Sequence, residues 1–164
     1  MKEVYQTVIN PGHGNCMQAA IASLFDKELD EVPNFIEHDG YFQPLHKFLY
    51  ENGYDYQGMF HNKKYSQLCT PTHFCFNNKK WHRPAIMTPK KLYKEQGVNG
   101  LFYAGVLSPN FFKWSSQSTH AVLIDKDYNI VFDPNPAYKE ILEYPLTDIL
   151  GYNGIIDVFL INPK

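Results

Sequence analysis

With 164 residues and a formal net charge of −2, the chain has single-domain length and lacks the basic excess of a nucleic-acid or anionic-membrane surface. Aromatics make up 16% of it, mostly Tyr and Phe, so the core and any cleft wall should be rich in rings. No apolar run reaches membrane-spanning length, residues 1–6 carry no signal-like apolar core, and Cys16, Cys69 and Cys75 leave at least one thiol free, which fits one cytosolic domain over 1–164.

Residues 4–9 read as a short extended lead-in, closed by Asn10-Pro11-Gly12. In Gly12-His13-Gly14-Asn15-Cys16 two glycines open a tight turn and Asn15 is an N-cap candidate. Large apolar residues at 17, 21, 24 and 25, with alanines between, then predict a helix over 16–25 with one buried face. Residues 26–31 are charged and 32–35 form an apolar turn expected to pack beside that helix. A second helix is expected over 41–51, with Pro44 in its first turn, Leu45, Phe48 and Leu49 on one face, and Gly53 as its C′ residue.

Residues 54–60 suit a strand, 61–80 have no sustained period, and 87–96 suit a short helix started by Pro89 and ended by Gly97. A loop-rich stretch of this kind in a small domain fits a substrate-contacting flap. Further strands are expected over 101–107, 119–124, 129–132 and 155–161, with a long connection at 108–118 and a hairpin-like turn at 125–128. Helix first and antiparallel strands later is the α+β pattern.

Three residues carry chemistry. Cys16 falls in the first turn of a helix, where unpaired N–H groups and the positive dipole end favour an anion, so its thiolate, the reactive form, is favoured. His120 begins a strand that is apolar on both faces, which belongs inside a sheet and puts its first residues at the rim. A turn near 126–127 sets His120 almost opposite Asp133 on the next strand, within reach for a carboxylate to hold an imidazole N–H. Nucleophile, base and orienting acid make up the three-part arrangement of covalent catalysis. Gln6 adds a fourth candidate, an amide beside the Cys16 N–H to bind a developing oxyanion.

The order Gln6, Asn15-Cys16-Met17-Gln18-Ala19-Ala20, His120-Ala121-Val122 and Phe132-Asp133-Pro134 resembles the papain-like cysteine peptidase superfamily, most of all its compact bacterial leader-peptidase-like members, which clip double-glycine leaders. The likeness covers the two ends of the chain and leaves about 50–110 unmatched, and the Gln6-to-Cys16 interval is longer than the family's. It implies a core helix carrying the Cys packed on an antiparallel sheet of about four to five strands, with the site in the cleft between them. It implies Cys16 as nucleophile, His120 as general base and acid, Asp133 as orienter and Gln6 as oxyanion donor. The activity expected is that of a peptidase or amidase acting on a peptide or small amide, with no cofactor. An acyl or peptidyl transferase with the same triad, or a binding module of this fold without turnover, fits the same residues.

Cys69, His73, Cys75 and His82, with His61 nearby, lack the tight paired spacing of zinc ligands, so no metal is expected there. His13 has no evident group to fix its ring and reads as a loop histidine; Trp114 reads as a packing residue. Gly12-x-Gly14 lacks the Lys and third Gly of a phosphate loop.

Overall fold

A computed structural model of the chain describes residues 1–10, 14–38, 40–61, 85–86, 97–107, 119–140 and 155–164. Helix α1 (Cys16–Leu24) and helix α2 (Phe42–Glu51) precede six strands: β1 (Tyr54–His61), β2 (Ala85–Ile86), β3 (Phe102–Leu107), β4 (Thr119–Ile124), β5 (Ile130–Phe132) and β6 (Ile155–Pro163). They form one sheet in the order β2-β1-β6-β3-β4-β5, antiparallel throughout except for the short β2, which runs parallel to β1. The α+β class holds, with α1 carrying Cys16 against the sheet. The sheet's five antiparallel strands fall within the four to five expected, and the parallel two-residue β2, too short to leave a period, adds a sixth. The helix expected over 87–96 and the connection at 108–118 lie outside the described residues, as do Gly12, His13, Cys69, His73, Cys75, His82 and Trp114.

Helix α1 is not amphipathic as its spacing suggests. Met17 and every residue from Ala19 to Leu24 are buried, so small side chains let it sit inside the core rather than lie on it. Its buried Ser23 hydroxyl is satisfied by the lead-in, accepting from Val4 N–H at 2.9 Å and donating to Val4 carbonyl at 3.3 Å. Helix α2 does follow its pattern, burying Leu45, Phe48 and Leu49 and exposing Lys47, Tyr50 and Glu51. Gly53 at φ +86° ends it in the left-handed conformation expected of that position. Edge-on rings tie the two helices to β1: Phe25 meets Tyr54 at 4.5 Å and Phe48 at 6.3 Å.

One sheet face, with Tyr103, Ala121, Leu123, Phe132 and Phe159, packs against the helices. The other buries Phe102, Val106, Val122, Ile124, Ile155 and Val158. Strand β4 is thus apolar on both faces because it is interior to the sheet, and its start forms the rim that holds His120. No helix among the described residues is long and apolar enough to cross a membrane.

Candidate active site

The N-terminal turn of α1 abuts the start of β4. Cys16 is half-buried there, hydrogen-bonded to the His120 ring and accepting from the backbone N–H groups of Ala121 and Met17. His120, 7% exposed, uses Nε2 for Asp133 Oδ1 at 2.7 Å, which leaves Nδ1 as the ring nitrogen for the sulfur. Asp133 Oδ1 also accepts from Asn135 N–H at 2.7 Å, so the carboxylate is held on two sides. Tyr138 stands edge-on to the imidazole at 5.9 Å and restricts the ring further. The three residues singled out from the chain form one line.

Their electrostatics are coupled. Burial pushes the Cys16 thiol up, but the hydrogen bond and charge of His120, helped by the Ala121 and Met17 N–H groups, reverse this and bring it below the ordinary thiol value. Burial likewise opposes a charged His120; hydrogen bonds to Asp133 and Cys16 and the charges of both outweigh it and push the ring up to about 10. The pair therefore shifts toward a thiolate facing an imidazolium.

The route to the His120–Asp133 pair differs from direct opposition. Leu123 faces Phe132, and the same register carries Val122 to Asp133, two places from His120. The Ile124–Ile130 pairing already carries Ala121 to Asp133, one place off, and the register shift between Leu123 and Ile124 adds the second. The turn behind it is pinned by Asp125, whose Oδ1 takes the N–H groups of Asp127 and Asn129 at 2.8 and 3.0 Å, with Tyr128 at φ +67°. The contact is diagonal, a distance that His and Asp side chains still bridge. Asp133→Asn should therefore bring the His120 titration down from about 10, read by NMR of the ring protons. An unchanged titration would mean that Cys16 alone holds the charge.

Asn15 is not a side-chain cap. Its Oδ1 accepts from Thr7 and Val8 N–H at 3.0 and 2.9 Å, and its Nδ2 donates to Thr7 Oγ1 and Gln18 Oε1 at 3.2 and 3.1 Å. Gln18 in turn donates to the carbonyls of Leu29 and Val32 at 2.9 and 2.7 Å. This part-buried network, with Asn15 buried at its centre, fastens the lead-in to the turn that carries the sulfur.

Gln6 lies in that lead-in, its backbone N–H donating to Pro134 carbonyl at 2.9 Å, immediately after Asp133. Its side chain packs beside Gly14, where an added Cβ would lie 3.7 Å from Nε2. Nε2 donates to Val8 carbonyl at 3.2 Å, which leaves its second N–H, and Oε1 is buried without a partner among the described residues. The amide is thus near the first turn of α1 with one donor already engaged.

Sequence reasoning passed over Asp157. It sits in β6 opposite Gly105, 7% exposed, with Oδ1 accepting from Gly105 N–H at 2.9 Å. Burial raises its carboxyl to about 7, against the one favourable hydrogen bond. A single acidic residue in a strand reads as solvent-facing unless the strand is known to be central.

No family model, no curated protein and no solved structure matches this chain.

Proposed function

We propose that the protein is a cysteine-dependent hydrolase, a peptidase or amidase with papain-like chemistry. The observation that carries this reading is the continuous line from Cys16 through His120 to Asp133, with the sulfur at a helix N-terminus. A thiolate stabilised by a neighbouring imidazolium and two backbone donors is the state that a nucleophile needs before substrate arrives.

The Cys16 thiolate attacks the carbonyl carbon, forming the C–S bond and moving the π pair onto oxygen. The Cys16 N–H, unpaired within the helix, and the second N–H of Gln6 are the donors for that oxyanion. The His120 imidazolium gives its proton to the departing amine as the C–N bond breaks. Neutral His120 then takes a proton from water, whose oxygen attacks the thioester; the acid leaves and the thiolate–imidazolium pair is restored. Asp133 keeps Nε2 occupied throughout, so that Nδ1 stays aimed at the sulfur.

An activated ester tests this without knowledge of the natural substrate. With p-nitrophenyl acetate, we expect a burst of p-nitrophenolate stoichiometric with protein and one acetyl group on the Cys16 peptide by mass spectrometry. Absence of the burst, or acetylation elsewhere with Cys16 unmodified, would overturn the reading.

A further inference from the structure

One row of residues crosses β4, β3 and β6 on a single sheet face: Ala121, Gly105 and Asp157. Ala121 donates its N–H to the Cys16 sulfur at one end, and at the other is a carboxylate more than nine-tenths buried. Between them is a residue with no side chain. A Cβ on Gly105 would collide with Asp157 Oδ1, so the carboxylate is folded over the Gly105 backbone. The register continues to His61 in β1 on the far side.

Among the described residues, the surroundings of Asp157 supply no cation. No described side chain forms an ion pair with it, and Gly105 N–H is the one described group that eases its charge. Its charge bears on the phenols of Tyr41 and Tyr103, and that of Cys16 bears on Tyr103 as well. Tyr103 therefore lies within electrostatic reach of both ends, held by stacking on Phe159 at 4.7 Å. A buried carboxylate with tyrosine phenols in electrostatic reach is a pairing that suits ammonium and guanidinium groups. Two strand spacings, about 10 Å, separate Ala121 from Asp157. An extended lysyl chain measured from its acyl carbon, with one hydrogen bond at its end, covers about the same span.

We propose that Asp157 receives the basic side chain of the residue whose carbonyl Cys16 attacks, making the enzyme selective for acyl donors that carry an ammonium or guanidinium group. This rests on the acyl-transfer reading of Cys16. Within that reading Asp157 is a specificity residue, and Gly105 is required to be glycine to admit its carboxylate.

The test compares N-tosyl-lysyl and N-tosyl-norleucyl chloromethyl ketones, in which the thiolate displaces chloride and forms a C–S bond. Inactivation rates are followed by intact mass on the full chain. The wild-type protein should react at least about tenfold faster with the lysyl reagent, and Asp157→Asn should react with both at rates within about twofold. Asp157→Ser, which removes the charge but keeps an acceptor, is the second variant should the first fail to fold. Equal rates in the wild type, or a lysyl preference that survives in the variants, would overturn the assignment. Iodoacetamide, which carries no charge, separates the two levels: rapid alkylation of Cys16 without lysyl preference sinks only the role of Asp157. Slow alkylation in every protein sinks the acyl-transfer reading and the assignment with it.

Discussion

Cys16→Ala should abolish the ester burst and any turnover, a loss of at least about a thousandfold, while moving stability by less than about 1 kcal/mol. The activity loss follows because Cys16 is the nucleophile that His120 faces, while His120 is engaged by Asp133 at 2.7 Å and Gln6 has no nucleophilic atom. The small stability change follows from position. Cys16 is only half-buried at the first residue of α1, where it packs on the edge of the core, and Ala is the best helix former. His120 loses one of its two partners in this variant but keeps Asp133, so it stays hydrogen-bonded. Thermal melts beside burst kinetics check both halves. Full activity would refute the nucleophile; a drop in Tm of many degrees would mean that the sulfur serves packing instead.

The second large effect is on stability. Asp157→Asn should stabilise the protein at pH 8 by up to roughly 4 kcal/mol and leave it nearly unchanged at pH 4. Burial raises the Asp157 carboxyl from 3.8 in the unfolded chain to about 7 in the fold, opposed by one hydrogen bond from Gly105. A folded acid with a raised value favours folding only while protonated. That contribution is complete below about 4 and is lost as pH rises through 7, where the fold must hold an ionised carboxylate with no described cation beside it. Tyr41 and Tyr103 lie within its electrostatic reach, and burial, with the Asp157 charge and at Tyr103 the Cys16 charge as well, raises both phenols well above their ordinary value, so both stay neutral. Asn keeps an oxygen for the Gly105 N–H and needs no ionisation. Melts across pH 4 to 8 should show the two proteins converging at the acid end. A constant difference at every pH would mean that packing, not charge, distinguishes them.

The parts of the site that were legible from the chain are those set by local rules. Glycines followed by a small-residue apolar run mark a helix start, and β4 and β5 announce themselves by runs of Val, Ile and Leu on either side of Asp125-Lys126-Asp127-Tyr128. His120 and Asp133 could be paired across that turn, although the turn's own register and the shift between Leu123 and Ile124 together make direct opposition a diagonal contact. A register shift leaves no mark in composition. Asn15 looked like a cap because position alone suggests one; its partners in Thr7, Val8 and Gln18 depend on where the lead-in folds back. Asp157 was illegible for a topological reason. Strand β6 is last in sequence but lies between β1 and β3, so a residue that reads as exposed on a terminal strand is central in the sheet.

The His120 ring, and not the position of Cys16 alone, sets the state of the sulfur. The rate of Cys16 alkylation by iodoacetamide as a function of pH, compared between the wild-type protein and His120→Ala, measures this most directly. In the wild type the midpoint should fall below that of an ordinary thiol, because His120 overcomes burial; in His120→Ala burial prevails and the midpoint should rise above the wild-type value. Coincident midpoints in the two proteins would contradict the account.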